Sequence, residues 1–195
     1  MFKGNKKATS NITETKSTFI AEGIEVIGNL NGKGAVQVEG ILNGDISVTS
    51  VVIGEHGTVN GVVNATNVIV NGTLNGAVFC ESLEIMPNGN ISNEIKVQQL
   101  LISGTVNGSI ESRDEINIDS QGTVKGTTMK SKNITVNGAF EGKITASELL
   151  EIGTTGSVEG DITVKNIKTH EGGKLLGSMH NYVEEKKVET KKKSK

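Results

Sequence analysis

Apolar residues in this chain alternate with polar ones inside short segments, and the segments themselves recur every 15 to 18 residues. From Val36 to Met179 the skeleton apolar-x-apolar, a Gly-containing turn, then Leu/Val-x-Gly-x-Ile/Val occurs nine times. The first apolar row reads Val36, Val51, Val68, Leu83, Leu100, Ile116, Ile134, Leu150, Ile167. The second, two residues on, reads Val38, Ile53, Val70, Ile85, Ile102, Ile118, Val136, Ile152, Thr169. A third row is Leu42, Val59, Leu74, Ile91, Val106, Val124, Phe140, Val158, Leu175, and a fourth is Ile46, Val63, Val78, Ile95, Ile110, Thr128, Ile144, Ile162, Met179. Spacing at i, i+2 is the periodicity of strands, so intervening residues such as Gln37, Asn43, Asp45, Asn60, Glu84 and Asn107 face outward. Each repeat is too short to bury its own apolar face, which makes it one coil of a solenoid built from two or three short strands.

A file of glycines separates the third and fourth rows: Gly44, Gly61, Gly76, Gly108, Gly126, Gly142, Gly160 and Gly177, with Asn93 standing in once. Glycine, and next to it asparagine, tolerates positive φ, so this file marks a corner where coil bends against coil. The other corner alternates in length. Coils with Gly40, Gly72, Gly104 and Gly138 cross it in four residues, and those with Gly57, Gly89, Gly122, Gly156 and Gly173 take six. Long and short coils interleave until the last two, which are both long, so the true repeat is a pair of about 33 residues. No useful length shows 3.6 periodicity, which excludes a helical or leucine-rich repeat, and the strict six-residue spacing of a left-handed hexapeptide helix is absent. The expectation is an all-β single-stranded β-helix of about nine to ten coils. Each inward aliphatic contributes roughly 1.5–3 kcal/mol by burial, enough to fold a chain with 3% aromatics.

Charge divides the chain further. Thr18 to His180 holds 10 basic and 18 acidic residues, a balance of −8, whereas both ends are basic. Residues 1–17 carry Lys3, Lys6, Lys7 and Lys16 against Glu14, and residues 181–195 carry six lysines against Glu184, Glu185 and Glu189. Neither end has the apolar residues to join a core, so the expected organisation is a disordered basic tail (1–17), a β-helix domain (18–180) and a disordered Lys-rich tail (181–195). The single cysteine, Cys80, falls in a row with Val48, Ala65, Val97 and Ala146 and reads as a small packed residue. With no disulfide framework, no apolar segment near 18 residues and no signal-peptide h-region, the expected setting is a reducing, cytoplasmic one.

The stretch Phe19-Ile-Ala-Glu-Gly-Ile-Glu-Val-Ile-Gly-Asn-Leu, followed by Gly34-Ala-Val-Gln-Val-Glu-Gly-Ile-Leu-Asn-Gly-Asp-Ile46, resembles the bactofilins, bacterial polymer-forming cytoskeletal proteins. As a pattern the resemblance runs from Thr18 to Met179. It implies a right-handed, roughly triangular β-helix between disordered tails, assembling end to end without nucleotide and scaffolding cell-shape, wall-remodelling, polarity or motility machinery. This rod repeats farther than a typical bactofilin.

Polymerisation follows from the fold as well, because a β-helix ends in two unpaired strand edges that solitary solenoids cover with a cap. No cap is evident here. The expected polymer contacts are Ile20, Ile24, Val26 and Leu30 at one end and Ile167, Leu175 and Met179 at the other, with Tyr182 nearby. The extreme N-terminus, Met1-Phe2-Lys3-Gly4-Asn5-Lys6-Lys7, suits a bilayer surface: Met1 and Phe2 bury, and Lys3, Lys6 and Lys7 each gain about 1 kcal/mol from anionic lipid. It also resembles the short membrane-targeting peptide of many bactofilins. Expected partners are therefore other copies of the chain, the inner membrane face, and morphogenetic or motility proteins.

Enzymatic readings are weaker. His56 is far along the rod from His170 and His180, so the three do not converge on a metal or nucleophile. Glu111, Asp114, Glu115 and Asp119 cluster, yet read as a solvated outer face without the aromatic platforms of a glycosidase. Gly153-Thr-Thr-Gly156 and Gly172-Gly173 connect strands and open no phosphate-binding helix. Lys191 to Lys193 resemble a nucleic-acid hook, but the acidic rod beside them repels a duplex. No catalytic residue, metal or cofactor is expected. The competing reading is a non-polymerising binding rod, adhesin-like or carbohydrate-active.

Overall fold

A computed structural model describes residues 17–183. Among them the regular elements are nineteen strands joined in one parallel sheet that winds upon itself. Each strand pairs in register with its counterpart one coil on: Val36 with Val51, Val51 with Val68, Val68 with Leu83, Leu83 with Leu100. The chain makes ten coils, each with three faces, in line with the sequence expectation. The first is Ser17–Ile20, Glu25–Ile27 and Leu30–Asn31; the tenth is the end of Ser157–Thr169 followed by Lys174–Asn181. In the first half the strands break at every corner. From Asn90–Ile102 onward, runs of 13 or 14 residues pass through the second and third corners without interruption.

The aliphatic rows fill the bore. Val38, Leu42, Ile46, Val59, Ile85, Ile118 and Ile152 have no solvent exposure. In the seventh coil the fourth-row position expected for Thr128 belongs instead to Met129, which pairs with Ile110 below and Ile144 above and is fully buried. The cause is a single extra residue. Gly108 aligns with Gly126 but Ser109 with Thr128, so Thr127 bulges at the corner and the inward register resumes one position later. A fifth inward row, two residues past the fourth, includes Val97, Ser112, Ser131, Ala146 and Val164. Ser112 Oγ donates at this corner to the carbonyls of Gln98 and Glu115, whereas the buried Ser131 Oγ has no partner among the described residues.

The corners explain the glycines. Asn93 takes φ 104°, the left-handed conformation its place in the glycine file calls for. Gly160, at φ 136°, lies so close over Gly142 that a Cβ would overlap the carbonyl oxygen of Gly142. At the first corner, long coils close a turn, as in Gly57 N–H to Gly54 C=O at 2.9 Å. The glycine of the next, short coil then sits between two carbonyls of that turn: Gly72 on Gly54 and Gly57, Gly138 on Asp119 and Gly122. This nesting is the physical basis of the 33-residue pair.

Two stability measurements check this register. By denaturant unfolding, Met129→Ala should cost about 2–5 kcal/mol whereas Thr128→Ala stays within about 0.5 kcal/mol. Gly160→Ala should cost about 1–3 kcal/mol or more, against little change for Asn93→Gly. Equal losses at Met129 and Thr128 would refute the bulge.

Candidate functional site

The ends of the rod differ from its body in one respect: each has strands paired on one side only. Among the described residues, Ser17–Ile20, Glu25–Ile27 and Leu30–Asn31 pair only with the second coil, and the tenth coil pairs only with the ninth. The free backbone donors and acceptors of such edges template another strand.

The side chains expected there fall into three groups. Ile24, Ile167 and Met179 are exposed, at 52%, 37% and 51%. Val26, Leu30 and Leu175 are half-buried and pack against the core, closing the bore from inside. Ile20 is buried at 4% exposure, because it points into the bore in register with Val38; it supports the first coil and does not present itself at the surface. Two larger exposed side chains escaped the row analysis: Ile27 at 82% and Leu176 at 59%, on outward positions of the first and tenth coils. Phe19, at 60%, also faces out of the first coil. The signal for them lay in the outward rows, where Ile27 and Leu176 stand in line with Asn43, Asn60, Asn75, Glu141 and Glu159. Met1, Phe2, Lys3, Lys6 and Lys7 lie outside the described residues.

Asparagines tie the second face to the first coil. Asn75 Nδ2 donates to Asn60 Oδ1 at 2.9 Å, Asn60 Nδ2 to Asn43 Oδ1 at 2.8 Å, and Asn43 Nδ2 to Glu25 Oε1 at 2.7 Å. Every donor points toward the first coil, so the ladder ends on a carboxylate that it holds in place.

Near the opposite end Glu151 Oε1 accepts from Lys168 Nζ at 2.7 Å and contacts His170 Nε2 at 2.5 Å. Hydrogen bonds from Lys168 and His170 hold the Glu151 carboxyl below the usual carboxylate range. His56 belongs to the third coil and His170 to the tenth, seven coils or roughly 34 Å away. Asp114 is paired with Lys132 across coils at 2.7 Å, as an outer-face residue would be. Burial pushes the Cys80 thiol up to about 12, which leaves it protonated and a poor nucleophile at neutral pH.

A family model described as "Bactofilin: Polymer-forming cytoskeletal" matches the chain twice, over residues 18–103 and 98–180. The chain belongs to the bactofilin family. Each match takes in about five coils, so the rod is two family-matched stretches stacked without a break. No curated protein matches. No solved structure matches.

The Glu151 contacts give a pH prediction. A carboxylate whose pKa is lowered by folding stabilises above its unfolded value, here 4.5, and loses that contribution as pH falls through the folded value. Wild type should therefore melt above Glu151→Gln at pH 6, and the gap should close on acidification below 4.5. A gap that persists at pH 2.5 would show that the carboxylate contacts are not its source.

Proposed function

We propose that this bactofilin is the subunit of a nucleotide-independent filament whose rods join at their terminal coils and which scaffolds cell-shape, wall-remodelling or motility machinery at the inner face of the cytoplasmic membrane. The observation that carries the reading is the pairing of open strand edges with exposed apolar side chains at both ends: Ile24 and Ile27 on one, Leu176 and Met179 on the other. Surface of that kind at a strand edge is a liability in a solitary protein and an asset in a polymer. The family's description as polymer-forming agrees with it. The mechanism needs no fuel, because the ladder that links coil to coil inside the rod is the same interaction that links rod to rod.

Membrane attachment rests on the sequence of residues 1–7. Two apolar residues and three lysines make a marginal anchor singly, and a filament presenting many copies raises avidity by a factor on the order of 10²–10⁴.

Negative-stain microscopy of purified protein without nucleotide should show filaments. Leu175→Asp and Met179→Asp should each remain folded by circular dichroism and sediment as short species; long filaments from both would remove that end from the interface. Deleting residues 1–7 should abolish co-sedimentation with anionic liposomes while leaving filaments intact, and unchanged binding would refute the anchor.

A further inference from the structure

The alternation of long and short first corners leaves a recess wherever a short corner lies between two long ones. Among the described residues these are Glu39-Gly40 in the second coil, Asn71-Gly72 in the fourth, Ser103-Gly104 in the sixth and Asn137-Gly138 in the eighth. In each the glycine nests on two carbonyls of the long corner beneath, as Gly40 does on those of Ala21 and Ile24, and the longer turns on either side project past it. The recesses share a shape and differ in lining. At the corner stand Glu39, Asn71, Ser103 and Asn137; two residues on, where the second face begins, stand Ile41, Thr73, Thr105 and Ala139. Only the first recess combines a carboxylate with a large aliphatic side chain at these positions.

That recess is a groove of about 430 Å³ bordered by Glu22, Ile24, Glu25, Glu39, Ile41 and His56. Ile24 and Ile41 are exposed at 52% and 43% and give it an apolar floor. The lining contains three carboxylates and neither lysine nor arginine. Two of the carboxylates are held in place. Glu25 Oε1 accepts from Asn43 Nδ2 at 2.7 Å, at the end of the asparagine ladder, and Glu39 Oε1 accepts from Gln37 Nε2 at 3.0 Å with its carboxylate laid against Gly54. Among the described residues no salt bridge engages any of the three. Exposed isoleucines rimmed by carboxylates that lack cations fit a peptide segment in which bulky apolar residues stand beside lysines.

We propose that this groove is the docking site of the chain's own residues 1–7, Met1-Phe2-Lys3-Gly4-Asn5-Lys6-Lys7, with Met1 and Phe2 on Ile24 and Ile41 and the lysines against Glu22, Glu25 and Glu39. The complement is one of kind and number, two apolar side chains to two and three cations to three anions. The lysines of residues 184–195 match it less well, since Val188 is the one apolar residue among them and three glutamates accompany them. Reach is ample. Residues 8–16 separate the segment from Ser17, and nine extended residues span up to about 30 Å, whereas the strand Ser17–Ile20 carries the chain to the first corner in about 10 Å. So short a tether holds the segment near the groove at an effective concentration in the millimolar range, enough for exposed ion pairs that are weak one by one. The consequence for the membrane rests on the anchor reading above. The groups that enter a lipid surface are the groups that the groove takes up, so a rod away from the membrane withholds its anchor, and an anionic surface has to outcompete the groove to release it.

Cross-linking in the full chain tests the docking apart from any membrane. In a Cys80→Ala background, Asn5→Cys is combined either with His56→Cys on the groove's upper lip or with Ser47→Cys on the third face. Ser47 is exposed and three residues before Ser50, which stands in register with Ala35 and Ser17, so it is at least as near the tether as His56 is. Under mild oxidation the His56 pair should close an intrachain disulfide about tenfold faster than the Ser47 pair. Adding Glu22→Gln, Glu25→Gln and Glu39→Gln, or salt at about 1 M, should remove the difference. Equal rates at the two positions, or cross-links that form only between chains, would overturn the docking. Co-sedimentation with vesicles of equal parts phosphatidylcholine and phosphatidylglycerol tests the consequence. The groove triple variant should bind roughly threefold or more tightly than a control triple, Glu81→Gln, Glu141→Gln and Glu159→Gln, which makes the same change of charge at exposed positions elsewhere. Equal binding by the two triples would overturn the competition, whereas a fast His56 cross-link in a chain that binds no vesicles would uphold the docking and sink the anchor reading.

Discussion

The backbone ladder between successive coils, at a spacing of about 4.8 Å, constrains everything else in this rod. Every side chain has a near neighbour at the same position one coil away, so any residue type at a given position is in effect stacked on itself. Branched aliphatics stack well and fill the bore. Most corner positions do not accommodate a Cβ, because the carbonyl of the coil beneath lies where it would go, as Gly160 over Gly142 shows, and Asn93 is the exception in its file. Most of the corner glycines are therefore a structural requirement of close stacking, whereas Gly23, Gly28 and Gly32 of the first coil have open space where a Cβ would stand.

That requirement is why so much of the architecture was legible from spacing. The aliphatic rows, the glycine file and the substitution of Asn93 each follow from one coil meeting another, and each is visible as a column when the chain is cut into repeats. The misplacement of Thr128 has an equally plain cause. Counting from Gly126 gives the fourth row at the usual distance, but the corner absorbs one extra residue, and only the pairing of Met129 with Ile110 and Ile144 shows where. The ends were read less well. Ile20, expected among the end contacts from its place in the first coil, is buried in register with Val38, whereas the inward-row residues Ile167 and Met179 of the tenth coil are exposed. Ile27 and Leu176 were passed over because outward positions read as uniformly polar; their meaning emerges only when all ten coils are in register and the two extremes can be compared with the middle.

A solenoid is close to one-dimensional, and each coil touches only its neighbours. Two family-matched stretches joined without a break, as residues 18–103 and 98–180 are, lengthen the rod while leaving the number of ends at two. Added coils lengthen the sides of the rod and leave the composition of its two end coils unchanged. The first and last coils are where one outward row departs from its interior composition, with Ile27 and Leu176 at its two ends and polar or charged residues from Asn43 to Glu159 between them.

The same stacking rule shapes the outward rows. Like charges at one position in successive coils would sit about 4.8 Å apart and repel, so interior outward rows favour neutral residues that can satisfy one another, as Asn43, Asn60 and Asn75 do. Where charges do meet across coils they are often of opposite sign, Lys132 with Asp114 and Lys168 with Glu151, while Glu141 beside Glu159 is relieved by Lys125 on its other flank.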